Sequence, residues 1–124
     1  MYLNIELDEN RQLATPGCRL TGEPPYGVTV ISFRCKIEEK FTENEILVLR
    51  TNLIDSTGIN PDRVVSYITG RKKTNFVSFV PPVPIMYKMN TTDLSDGVFE
   101  LFKLGSNEEI EMISGAITVR IRCK

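Results

Sequence analysis

Hydrophobic and polar residues alternate with a period of two along several stretches of the chain, the spacing of strands that bury one face. Tyr2 to Leu7 sets Leu3, Ile5 and Leu7 against Asn4 and Glu6, and reads as an arm or edge strand. "GVTVISFRCKI", Gly27 to Ile37, places Ile31, Phe33, Cys35 and Ile37 on one face and Ser32, Arg34 and Lys36 on the other. "INPDRVVSYITG" predicts a turn at Pro61 and a strand from Arg63 to Ile68; "TGRKKTN" then reads as a hairpin turn. "FVSFV" is the returning strand, ended by Pro81, Pro82 and Pro84, which have no N–H for a ladder. Near the C-terminus "AITVRIRCK" alternates Ile117, Val119, Ile121 and Cys123 with Thr118, Arg120 and Arg122.

Two other stretches carry a helical period. In "FTENEILVLRTNLIDSTG", Thr42 and Glu45 make a capping box and Phe41 and Ile46 sit at staple positions. Ile46, Leu49 and Leu53 recur at helical spacing, with Gly58 as the left-handed stop. In "TTDLSDGVFELFKLG", Leu94, Val98, Leu101 and Phe102 predict a second helix ending at Gly105. Ser106 and Glu109 predict a short third one, closed by Gly115. The order β-α-β-β-α-β predicts an α+β, ferredoxin-like two-layer sandwich over residues 26–124. Residues 1–25, with Pro16, Gly17, Gly22, Pro24 and Pro25, form an N-terminal arm and loop.

Composition narrows the function. The 124 residues are 41% hydrophobic and 25% charged, with 15 cations against 16 anions, so no global field draws the chain to nucleic acid or an anionic membrane. No apolar run reaches the roughly 18 residues of a membrane span, and "MYLNIELDEN" lacks the regions of a signal peptide. No membrane insertion is expected, and a complete chain of this kind is expected inside the cell. The chain has no histidine and three scattered cysteines, Cys18, Cys35 and Cys123. Tetrahedral zinc and Ser/His or Cys/His nucleophiles are therefore excluded in practice, and no phosphate-binding or calcium-binding loop appears. The expectation is a protein without cofactors that is not an enzyme.

"RKKTNFVSFV" is similar to the third-strand signature of RNA-recognition motifs at Lys72, Phe76, Val77 and Phe79. It departs at Thr74, where a stacking aromatic belongs, and at Lys73 and Asn75, which replace the small residues. Over roughly residues 27 to 80 the chain resembles SEA-like domains, with Gly58, Ile59, Pro61, Arg63, Val64 and Gly70 at matching places. The resemblance implies a ferredoxin-like structural or adhesive module of extracellular or cell-surface proteins. It does not extend to self-cleavage, because Arg71 stands where the serine nucleophile belongs. Asn90-Thr91-Thr92 fits the N-glycosylation pattern, although the threonines also serve as helix caps.

In a ferredoxin-like sheet Arg34, Lys36, Arg120 and Arg122 become neighbours on the open face, adjoined by Phe76. Like charges on adjoining strands require a counter-charge. Solvent, the acidic arm residues Glu6, Asp8 and Glu9, or an external acidic partner each supply one. Cys35 and Cys123 fall on the core face of neighbouring strands, as buried thiols first and a Cys35–Cys123 bridge second. The functional expectation is a structural or protein-interaction module that associates with other chains, its own copies included, through its sheet face, arm or edge strands. Single-stranded RNA binding by the same five residues is the alternative.

Overall fold

In a computed structural model of the chain, which describes residues 2–7, 26–41, 45–69, 74–90, 97–106 and 108–123, every regular element among the described residues is a β-strand. The strands are β1 (Tyr2–Leu7), β2 (Tyr26–Phe41), β3 (Ile46–Thr51), β4 (Val64–Thr69), β5 (Thr74–Phe79), β6 (Met86–Lys88), β7 (Phe99–Lys103), β8 (Glu109–Ile110) and β9 (Met112–Cys123). They form two antiparallel sheets. Sheet I runs β1-β9-β2-β5, with β6 on the same edge of β2 as β5; sheet II runs β4-β3-β7-β8. Ile5, Phe33, Ile117 and Val119 of the first sheet join Leu47, Leu49, Phe99 and Leu101 of the second in one buried cluster, so the sheets pack face to face.

The α+β, ferredoxin-like expectation, which the SEA-like resemblance also implied, is overturned. The predicted first helix is β3 followed by a turn and an irregular segment; Thr42 of the capping box lies outside the described residues. The reason is that β3 is covered on both sides. Leu47 and Leu49 point into the core, while Val48 points outward yet is buried, between Tyr67 on β4 and Phe102 on β7. A strand buried on both faces loses the period of two, and its apolar run then satisfies a helical spacing equally well.

The described part of the second predicted helix is β7; Leu94 lies outside the described residues. Phe99 and Leu101 face inward, and outward-facing Phe102 carries the Arg50 guanidinium 4.2 Å above its ring. The predicted third helix is a turn and two strands: the Glu108 N–H donates to Ser106 Oγ at 3.0 Å, so the serine caps a turn instead. Gly105, at φ +82°, shapes the link between β7 and β8. The expected hairpin between Thr69 and Asn75 is also corrected, because β4 lies in sheet II and β5 in sheet I. Residues 70–73 lie outside the described residues, as do 8–25 of the arm; its first strand pairs along β9.

β9 and β2 approach closely at Gly115. A Cβ there would stand 3.0 Å from Cys35 Cβ, 3.1 Å from the Arg34 carbonyl oxygen and 3.1 Å from Met112 Sδ. Gly115→Ala is therefore expected to lower stability by about 1–3 kcal/mol in urea unfolding. Gly58, by contrast, has nothing within 4 Å and is not left-handed. Gly58→Ala is expected to be neutral or to stabilise by a few tenths of a kcal/mol, roughly. A helix ending at Gly58 would reverse that order, so the two variants measured together test the fold.

Candidate binding face on the first sheet

Directly opposed residues in an antiparallel ladder share a face. On sheet I this places all five residues singled out above on the outer side, but in two groups. Lys36 lies between Phe76 on β5 and Ser114 on β9; Arg34 lies between Ser78 and Ala116. Arg120 lies between Thr29 on β2 and Tyr2 on β1, and Arg122 lies opposite Gly27. The strand order β9-β2-β5 brings these strands together as expected. The register does not bring the cations together, since Ala116 and Arg120 are four residues apart, roughly 14 Å of strand.

At the first group the outer side chains of β9 are small, Ser114 and Ala116, which leaves a groove of about 570 Å³. Arg34, Lys36 and Phe76 stand on one side of it and Glu6 on the other. Glu6 shares the rung of Ala116 and Arg34, so the carboxylate faces the guanidinium across a residue too small to fill the space. A second hollow of about 380 Å³ continues along the sheet past Asn4, Ser32 and Thr118, where Thr118 Oγ1 donates to Asn4 Oδ1 at 2.7 Å. Lys36 Nζ sits 5.9 Å above the Phe76 ring, and Phe76 is 63% exposed.

Among the described residues no carboxylate forms an ion pair with Arg34, Lys36, Arg120 or Arg122. Of the acidic arm, Glu6 is on this face without pairing, and Asp8 and Glu9 lie outside the described residues. The second group has a different character. There Met86 packs over Gly27, and Lys88 pairs with Asp55 at 3.6 Å. The sequence pattern points to the cations, to Phe76 and to Glu6 of the arm as a counter-charge on this face, but not to the Ser114/Ala116 floor. The signal available was the run of small outward residues on β9.

The Cys35–Cys123 bridge is corrected by the register. Cys35 lies opposite Gly115 and Cys123 opposite Tyr26, so eight residues of β9, roughly 26 Å, separate the two levels. A disulfide needs Cα atoms within about 7 Å. Cys35 is a buried free thiol, and burial pushes its pKa from 9.0 up to about 12. Asn90 is committed to the fold: its amide nitrogen donates to the carbonyls of Asn52 at 3.0 Å and Ile54 at 3.1 Å. A glycan on that nitrogen would remove one of the two donors. Thr91 and Thr92 lie outside the described residues.

No family model, no curated protein and no solved structure matches this chain. Among the described residues no helix is long and apolar enough to cross a membrane.

In a Cys18→Ser/Cys123→Ser variant the remaining thiol is expected to resist a disulfide-exchange reagent at pH 8, labelling only in proportion to the unfolded fraction. Rapid labelling of the folded variant would contradict the burial. The pH dependence has a definite sign. A raised thiol pKa keeps a proton on the folded chain that the unfolded chain loses, so this contribution is whole below pH 9.0 and disappears toward about pH 12. The slope is at most about 1.4 kcal/mol per pH unit.

Proposed function

We propose that the chain is a non-enzymatic protein-interaction module that receives an acidic segment of a partner on the outer face of sheet I, within a larger assembly or surface protein. The observation that supports it is the groove over Ser114 and Ala116, flanked by Arg34 and Lys36 with no ion pair to a carboxylate among the described residues. Two cations on successive outward positions of one strand repel each other and attract any chain that presents carboxylates at the spacing of a strand. The small floor admits the backbone of that chain. Glu6 on the far wall rejects a misplaced acidic group and favours a donor there.

The RNA alternative is less well served. Single-strand binding by stacking needs aromatics at the spacing of successive bases. Among the described residues the exposed outward aromatics of this face are Phe76, level with Ser114, and Tyr2, level with Arg120, about 20 Å apart along β9.

A fluorescently labelled poly-glutamate peptide tests the reading by polarisation. The expected result is binding that weakens as salt rises, reduced about tenfold in Arg34→Ala/Lys36→Ala and little changed in Arg122→Ala. Absence of binding at low salt would overturn it. Tighter binding of a mixed-sequence single-stranded oligoribonucleotide, lost in Phe76→Ala, would replace it with the RNA reading.

A further inference from the structure

The outer edge of β4 differs from the other sheet edges. Natural edges are blunted by charge, by shortness or by cover. β1 carries Glu6, β6 and β8 are three and two residues long, and β5 has the Lys36 ammonium over its Phe76. β4, with the sequence VVSYIT, is six residues long and has no charge at all.

The direction of its backbone groups follows from parity along β3. The Leu104 N–H donates to the Ile46 carbonyl at 2.8 Å, so Ile46, Val48 and Arg50 bond toward β7, and Leu47, Leu49 and Thr51 bond toward β4. The Thr51 N–H indeed donates to the Arg63 carbonyl at 3.2 Å. Ile68 and Ser66, opposite Leu47 and Leu49, therefore turn to β3, while Val64, Tyr67 and Thr69 turn outward.

At the start of this edge the chain caps itself. Asn60 covers Val64 with both ends of its amide: Nδ2 donates to the carbonyl at 2.8 Å and Oδ1 accepts from the N–H at 2.9 Å. At the bulge residue Val65 the carbonyl accepts from the Tyr87 hydroxyl at 3.3 Å. No described group does the same for Tyr67 or Thr69. Beside them, Tyr67 is 58% exposed, and Val83 and Ile85 are 68% and 54% exposed around a hollow of about 280 Å³.

We infer that β4 pairs antiparallel with β4 of a second copy of this chain, about a twofold axis at Ile68. That axis sets Tyr67 opposite Thr69 of the copy and Thr69 opposite Tyr67, and each pair exchanges two N–H···O bonds. All four outward groups are thus satisfied by the same four groups of an identical edge, with no charge opposed to charge across the strands. An axis at Tyr67 instead would set Thr69 against Val65, which Tyr87 covers. The two copies of sheet II become one continuous sheet, and the exposed Tyr67 and its apolar neighbours lie at the seam. The groove of sheet I is not involved.

Sedimentation and amide hydrogen exchange on the full chain test this. The expected result is a monomer–dimer equilibrium, with dimer present at about 100 µM. Protection of the Tyr67 and Thr69 amides should rise with concentration. Thr69→Pro removes an outward donor that a monomer does not use, and Tyr67→Lys places a charge on the edge. Both are expected to shift the equilibrium to monomer at least tenfold without altering the circular dichroism of the monomer; Tyr67→Lys decides if Thr69→Pro fails to fold. Arg34→Ala/Lys36→Ala is expected to dimerise normally, which separates this inference from the acidic-partner reading. A wild-type chain monomeric throughout, or a dimer that persists in Tyr67→Lys, would overturn it.

Discussion

The ladder between β2 and β9 determines what both faces of sheet I present, and one residue sets its phase. Along β2, Val28 and Val30 point into the core; beyond them the inward residues are Phe33, Cys35 and Ile37. The switch from even to odd occurs at Ile31, which has no partner on β9, since Val30 pairs with Val119 and Ser32 with Thr118. Were Ile31 kept in regular alternation instead of bulged out, Val28 and Val30 would share a face with Arg34 and Lys36, and either apolar residues would meet water or cations would enter the core. The bulge sits where β6 gives way to β5 as the other neighbour of β2, so neither of those ladders has to absorb it.

The same logic explains which elements could be read from the residues alone. β1, most of β2, and β9 bury one face and leave the other wet, so their alternation is visible, and the strand positions followed from it. Strict alternation sets Ile31 on the face of Phe33 because it has no symbol for a bulge. β3 and β7 carry a helical spacing because sheet II hides part of its outer face as well: Val48 is roofed by Tyr67 and Phe102, and Phe102 by Arg50. The apolar roof is supplied by residues distant in sequence, and no local window contains that information. The Thr42/Glu45 and Ser106/Glu109 pairs point the same way without deciding it, since serine and threonine cap turns as readily as helices.

The site was legible in part for a related reason. Neighbouring strands β9, β2 and β5 follow each other in the order that a ferredoxin-like sheet also has, so Arg34, Lys36 and Phe76 meet in either fold. Register is a finer property than strand order. It separated Arg120 and Arg122 from that group, removed the Cys35–Cys123 pairing, and set Glu6 opposite Arg34 across Ala116.

Side chains also stand in for strands in this chain. Asn60 supplies both hydrogen bonds that a neighbouring strand would give Val64, Tyr87 supplies one to Val65, and Asn90 closes the carbonyls of Asn52 and Ile54. Each leaves the backbone satisfied where no further strand of the described residues lies alongside. The Tyr87 phenol is suited to the task, because burial, and then the nearby Tyr67, raise its pKa and keep it a donor. Among the described residues such capping ends at Val65, although the edge of β4 continues to Thr69. An edge blunted over half its length is hard to explain as protection against association in general, since protection would be needed most at the uncharged, exposed half. It is the arrangement expected of an edge whose register with a partner has to be fixed: the capped residues mark where pairing stops, and the uncapped ones form its two rungs.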